Sequence, residues 1–252
     1  MIDIRAARPI AQGLTAEIFS VGPGRVVKLD RPAYNGLSVY EAGVASTLFA
    51  AGLPVPEVFE TVTIEGRHGA VLERLVGPAL TDVVAAAADR EELAAQFVEL
   101  HCSLHLHGSG HPELVPRLSA ELGRSGLDHR LVDDMRDFLA TAAAGATTGL
   151  CHLDLHPDNI IVTESGWKVI DWLTVADGPT VADFARTLVL RANTPHPPMA
   201  EFMAHVRRIG MIRRAIAEDE LAMWMRLIAA ARMSEGFEGP YLAWLREMAE
   251  GG

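Results

Sequence analysis

The chain has 252 residues, 49% of them hydrophobic and 22% charged, which suits one large domain or two small lobes of a globular protein. Lys and Arg number 22 against 33 Asp and Glu, a formal net charge of -11. That balance argues against nucleic acid or an anionic membrane as a partner held by the overall field, and suits a cationic partner better.

The first quarter reads as β-rich. Arg25-Val-Val-Lys28-Leu29 is a β-branched run preceded by the turn residues Gly22-Pro23-Gly24. A helix follows from Ser38, read as its cap, to about Ala51, with Val44, Leu48 and Ala51 at helical spacing. Gly52, Pro54 and Pro56 end it. Glu60–Ile64 and Ala70–Glu73 are two further strands about a turn containing Gly66. From about Thr81 the pattern turns helical. Asp89 and Glu92 have capping-box spacing, and Leu93, Phe97, Leu100 and Leu104 mark one buried face. Two short apolar runs, Ile160–Val162 and Trp167–Ile170, flank Glu164-Ser-Gly166 and predict a hairpin inside the helical region. Helices resume after Pro179, interrupted by Pro195, Pro197 and Pro198. The layout is a small β-rich lobe, a junction near Gly77-Pro78, and a larger α-rich lobe.

Met1 to Gln12 has no basic region followed by an apolar run, and no stretch is apolar for long enough to span a bilayer. Cys102 and Cys151 make neither a disulfide framework nor a four-ligand zinc site. A reduced, cytoplasmic setting is expected.

The chemistry concentrates in Cys151-His-Leu-Asp-Leu-His-Pro-Asp-Asn-Ile-Ile-Val162 and Val169-Ile-Asp-Trp172. Ten histidines and three asparagines in 252 residues make His152-x-Asp154-x4-Asn159 rare by chance. Phosphoryl transfer asks for positioning and charge neutralisation more than for covalent help. A loop carboxylate, Asp154, can accept a hydroxyl proton. An amide oxygen at Asn159 and a carboxylate at Asp171, across the hairpin, are hard oxygen donors suited to Mg2+.

The stretch resembles the aminoglycoside phosphotransferase and small-molecule kinase family, which shares the protein-kinase-like fold. His152-Leu153-Asp154-Leu155-His156-Pro157-Asp158-Asn159 and Ile170-Asp171-Trp172 carry the likeness, with Leu153 where the family commonly has Gly. The resemblance implies a bilobal α+β fold, with residues 1–76 as a nucleotide-binding lobe and 77–252 as a catalytic and acceptor-binding lobe. It implies Asp154 as catalytic base and Asn159 and Asp171 as Mg2+ ligands. Lys28, one of only two lysines in the chain, fits the strand lysine on the nucleotide phosphates, and Glu41 its carboxylate partner. Gly13 and Thr15, within Gln12–Phe19, fit the loop covering the β/γ-phosphates. The backbone of Glu73 and Leu75, within Leu72–Gly77, fits the hinge that pairs with a purine edge. Asp183 in Asp183-Phe-Ala-Arg186 resembles an aspartate that supports the catalytic loop by hydrogen bonding.

The implied activity is transfer of the γ-phosphoryl group of ATP or GTP to a hydroxyl of a small molecule. The acceptor would be an aminoglycoside-type antibiotic, with resistance as the outcome, or a hydroxylated metabolite. Two alternatives stand beside it. One is a metal-dependent hydrolase using His152, Asp154 and His156 with the His101/His105 pair. The other is a nucleotide-binding pseudokinase acting as an interaction module. His101, His105 and His107 read most simply as a helix end with partly exposed histidines, His152 and His156 as loop organisers, and Trp172 as packing. Glu235 and Glu238 are candidate acceptor contacts, or a solvated acidic loop.

Overall fold

The computed structural model describes residues 8–107 and 110–251. Residues 1–7, part of the stretch read above for a leader, lie outside them. In chain order the elements begin with β1 (Ala11–Gln12), β2 (Ala16–Gly22), β3 (Arg25–Asp30), α1 (Leu37–Ala50), β4 (Val58–Ile64) and β5 (Arg67–Glu73). Then come α2 (Leu80–Ala86), α3 (Arg90–Leu104), α4 (Leu114–Leu122), α5 (His129–Gly145), β6 (Thr148–Cys151), β7 (Ile160–Thr163), β8 (Gly166–Val169) and β9 (Ala176–Pro179). Four helices close the chain: α6 (Thr180–Ala192), α7 (Pro197–Arg214), α8 (Glu218–Arg232) and α9 (Gly239–Glu250). Among the described residues no helix is long and apolar enough to cross a membrane.

The chain forms two compact bodies. The first runs to Asp82 and adds Pro157–Leu173; the second holds Val83–His156 and the chain from Thr174 onward. In the first body an antiparallel sheet has the order β1-β2-β3-β5-β4. Alternation along β3 places Val27 and Leu29 with Phe19 and Val71 in one apolar cluster. Lys28 lies on the opposite face, level with Ala70 and Ile18. The helix α1 starts one residue before the expected cap, and Ser38 sits inside it. Its cap is Asp30, at the end of β3. That carboxylate accepts from Gly36 N at 2.7 Å, from Ser38 N at 3.0 Å and from the Ser38 hydroxyl. Capping across a loop satisfies the first-turn donors and fixes α1 against β3.

The predicted hairpin is β7–β8, in register from Ile160–Val169 to Thr163–Gly166. It joins the first body through Gly77–Ala79: Val162 N donates to Pro78 O at 2.9 Å, and Ala79 bridges Ile161. Gly77 has φ +154, and a Cβ there would fall 1.9 Å from Val162 O. No other residue fits that approach.

In the second body Asp89 caps α3 as predicted, accepting from Glu91 N and Glu92 N. The buried face is Ala94, Phe97, Val98, His101 and Leu104, with Leu93 and Leu100 only half-buried. Phe97 meets Phe202 of α7 edge-on, centroids 5.7 Å apart. A second two-stranded sheet, β6 with β9, did not stand out in the sequence. Gly149 on β6 lets the strand approach α3: a Cβ would lie 2.0 Å from His105 O. From Thr180 to Val189 every residue of α6 is buried, and this helix organises the site.

Candidate active site

The segment His152–Asn159 links β6 to β7. Its first part lies along α6, whose polar residues Asp183, Arg186, Thr187 and Arg191 recur at helical spacing on a largely buried helix. Each meets one step of the loop. Asp183 accepts from His152 N at 3.0 Å and Leu153 N at 2.7 Å. Arg186 Nε donates to Leu153 O, Thr187 Oγ1 to Leu155 O at 2.9 Å, and Arg191 Nη2 reaches His156 Nδ1 at 2.8 Å. From outside α6, Thr174 Oγ1 donates to His152 O, and Asp154 N donates to His152 Nδ1 at 3.2 Å. His152 and His156 are therefore loop organisers, as expected. Of these the sequence marks Asp183; Arg186, Thr187 and Arg191 do not stand out there, although their spacing from Asp183 is a visible signal.

Leu153 occupies the left-handed region at φ +63 and is buried. That conformation explains why glycine is the family's commoner residue here, and it costs a leucine about 1–2 kcal/mol. Hydrogen bonds on both its N–H and its carbonyl hold it there. Asp154, next along, is partly exposed, with His156 Nε2 3.8 Å from its Oδ2.

Below the loop, His101 and His105 both place Nε2 3.0 Å from Asp183 Oδ2. They are buried rather than partly exposed. Burial, then His105 and Arg214, bring His101 down to about 3, Asp183 opposing, so its ring is neutral at pH 7. Burial raises the Asp183 carboxyl, but the two histidines outweigh it and hold the group well below the carboxylate range. These three side chains are of metal-ligating type and lie within 4.8 Å of one another. Yet Asp183 Oδ2 already faces three N–H donors, and Arg214 brings a competing cation over the Phe184 ring, 4.5 Å from its centroid. The histidine pair of the hydrolase alternative converges on Asp183, not on Asp154. Cys151 is buried, and burial pushes its thiol well above its ordinary value, so it is no nucleophile.

The first body assembles Lys28, Glu41 and Asp171. Lys28 Nζ is 2.5 Å from Glu41 Oε2 and 3.7 Å from Asp171 Oδ1. Burial lowers the Lys28 ammonium, but Glu41 and Asp171 outweigh it and leave it above its ordinary value. Burial raises Glu41, Lys28 offsetting only part. The lysine therefore stays charged and fixed, where a solvated strand lysine would be neither held nor half-buried. Lys168, the other lysine, instead donates to Val55 O at 3.3 Å. Asp171 has φ +68. Asn159 and Asp171 flank the same end of the hairpin, where Ile170 N donates to Asn159 O at 3.0 Å. Asp171 Oδ1 is buried and, apart from its 3.7 Å ion-pair contact with Lys28, makes no hydrogen bond; such a hard oxygen donor fits a divalent cation. Trp172 is packing: it is buried, and Nε1 donates to Val169 O.

Gly13 and Thr15 lie in the turn between β1 and β2, narrower than the expected Gln12–Phe19 loop because Ala16–Phe19 is strand. Gly13 N closes the turn on Ala16 O, and Arg31 pins it through Gly13 O and Thr15 O. Cover of a phosphate would fall to the N–H groups of Leu14 and Thr15. Glu73 N is committed to Glu57 O at 2.8 Å, so a base edge can use only its carbonyl. Leu75 is half-buried. A cavity of ≈ 10 Å³ beside Lys28 and Glu41 has room for about one water, not for a nucleotide base. A larger hollow of ≈ 340 Å³, lined by Glu113, Thr148 and Asp177 among others, contains none of the predicted residues. Glu235 is exposed but ion-paired: it faces Arg186 Nη1 at 2.7 Å and Arg232 Nη2 at 3.4 Å. Glu238 is exposed.

A model of the phosphotransferase enzyme family matches residues 6–221, most of the chain. The chain belongs to this family. Its fold is the protein-kinase-like α+β fold. Among solved structures it is similar to the aminoglycoside phosphotransferase APH(4)-Ia, with 18% identity over 97% of this chain and 91% of that one, TM-score 0.70. It is similar to an aminoglycoside-3'-phosphotransferase of type VIII, with 22% identity over 89% and 91%, TM-score 0.63. A choline kinase from Cryptosporidium parvum aligns at 13% identity over 97% and 88%, TM-score 0.61. At such identities the likeness concerns the fold. Comparison with curated proteins gives no match. Family membership makes the protein a phosphotransferase, and neither alternative gains support from these likenesses.

Proposed function

We propose that the protein is a Mg2+-dependent kinase moving the γ-phosphoryl group of ATP or GTP to a hydroxyl of a small molecule. Residues 1–76 are read as the nucleotide-binding region and 77–252 as the catalytic and acceptor-binding region. The observation that carries the reading is the ion pair of Lys28 with Glu41, 3.7 Å from Asp171. A clamped ammonium beside a carboxylate oxygen that makes no hydrogen bond suits a polyphosphate with its cation.

On this reading Lys28 binds the α/β-phosphates and Glu41 holds Lys28. Thr15 and the turn at Gly13 cover the outer phosphates, and the backbone of Glu73 and Leu75 holds the base. Asn159 and Asp171 would hold Mg2+, which when bound neutralises charge on the phosphates. Asp154 orients the acceptor hydroxyl and takes its proton as the oxygen attacks phosphorus. The similar structures are named for aminoglycosides and choline, so an aminoglycoside-type antibiotic or a hydroxylated metabolite is the acceptor class. Free cysteines and nucleotide dependence agree with a cytoplasmic setting.

The test is a thermal shift with Mg-ATP and Mg-GTP, then a phosphorylation screen. Asp154→Asn is expected to keep the nucleotide shift and lose turnover by about 10³-fold. Full activity in that variant, or no shift with either nucleotide, would overturn the reading.

A further inference from the structure

Arginines crowd the loop that carries Asp154. Arg186, with its side chain 6% exposed, bonds Leu153 O and pairs with Glu235 at 2.7 Å. Arg232, at the end of α8 and equally buried, shares that same carboxylate at 3.4 Å. Its Nε and Nη1 are buried and have no hydrogen-bond partner. Its guanidinium lies 5.2 Å from the Phe237 ring centroid and 5.9 Å from that of Tyr241. On the other side Arg191 bonds His156, whose far nitrogen is 3.8 Å from Asp154. Both Arg191 and Arg232 lie within electrostatic reach of Asp154.

Arg186 and Arg232 thus share one carboxylate, that of Glu235, at 2.7 and 3.4 Å. Buried N–H donors on a cation are costly unless an acceptor meets them, and an anionic oxygen meets them best. A polycationic acceptor would set like charges against this group. The net charge of -11 favours a cation only at long range, where salt screens it within about 8 Å. The local cluster decides at contact.

We infer that the acceptor hydroxyl belongs to a molecule with an anionic group, a carboxylate or a phosphate, and that Arg232 binds this group near Asp154. Glu235 and Arg186 position Arg232; Arg191 adds to the field. No additional chemistry is implied. The anion is a handle that fixes the hydroxyl relative to Asp154.

This inference rests on the kinase reading, and the experiment keeps the two apart. The Mg-nucleotide shift reports on the reading alone. A panel then compares hydroxylated carboxylates and sugar phosphates, neutral polyols, and aminoglycosides with amino alcohols. Turnover is expected in the first group. Arg232→Met should raise KM for that acceptor about 30-fold with kcat and the nucleotide KM within a few-fold, and Arg232→Lys should recover part. Arg191→Met, at a less buried position, should raise the same KM about tenfold and guards against misfolding of the first variant. A neutral or polycationic preferred acceptor overturns the inference while leaving the kinase reading intact; so does an unchanged KM in both methionine variants. If nothing is turned over, glycerate and phosphorylated sugars titrated into the Mg-ADP-loaded protein decide. Binding that weakens in Arg232→Met supports the site, and no binding, or equal binding, sinks it.

Discussion

Replacing Asp183 by alanine tests how the catalytic loop is held. The carboxylate faces two backbone N–H groups, of His152 and Leu153, and two imidazole nitrogens, of His101 and His105. The imidazole protons can move to the other ring nitrogen, although Nδ1 of His101 is itself buried without a hydrogen-bond partner. The backbone donors cannot, and a buried N–H left unsatisfied costs about 1–3 kcal/mol. Two of them set a loss of about 2–6 kcal/mol, a large part of a typical domain's 5–15 kcal/mol. Asp183→Asn keeps an oxygen for Leu153 N and turns an amide toward His152 N, so about 2 kcal/mol should go. Urea denaturation with an unchanged m-value measures both. Since Leu153 is held at a positive φ by these bonds, Asp154 should lose its place in step. The expected kcat loss is about 100-fold, with the Mg-nucleotide shift retained. Stability within about 1 kcal/mol of wild type and an undiminished kcat in Asp183→Ala would refute the reasoning.

Lys28→Met should abolish the Mg-nucleotide shift. It should also cost about 2 kcal/mol at pH 8, because Glu41 is left buried beside Asp171, and less as the pH is lowered and that carboxyl, raised by burial, takes up a proton; a loss that does not change with pH would contradict the ion-pair account. Gly77→Ala drives a methyl into Val162 O and should lower stability by about 3 kcal/mol, read as a drop in Tm. The His101 and Asp183 shifts set an acid dependence. His101 is held near 3 in the fold against 6.5 when unfolded, so the unfolded chain binds the extra proton and stability falls as pH drops from about 6.5 toward 3. Asp183, depressed in the fold, adds a loss below about its ordinary 3.8. Tm measured from pH 7 to 4 should fall, and less steeply in His101→Gln.

The elements readable in the sequence were those with their own local pattern. β3 and the β7–β8 hairpin are β-branched or apolar runs bounded by turn residues, and α3 carries its cap at Asp89. The pair β6–β9 was not readable, because Thr148-Gly-Leu-Cys151 and Ala176-Asp-Gly-Pro179 hold two glycines whose purpose is close approach to His105 and Leu114. Ser38 looked like a cap because the real one, Asp30, lies on another element eight residues earlier. Of the site, Lys28 stood out because a lysine is rare in this chain, and Glu41 was reached only through the family resemblance; the structure pairs the two. The histidines misled: helix-end spacing says nothing of a buried aspartate 82 residues away. Arg191 and Arg232 were passed over because twenty arginines make any one of them unremarked.

The pairing of α6 with the loop has a consequence for anyone moving parts between relatives. Asp183, Arg186, Thr187 and Arg191 meet His152, Leu153, Leu155 and His156 in the same order, so helix and loop are mated like two halves of a zip. A loop transplanted alone would arrive without its matching teeth, and one residue inserted in α6 would turn every tooth beyond it about 100° away. Segments 152–156 and 183–191 therefore form one heritable cassette, exchangeable only together.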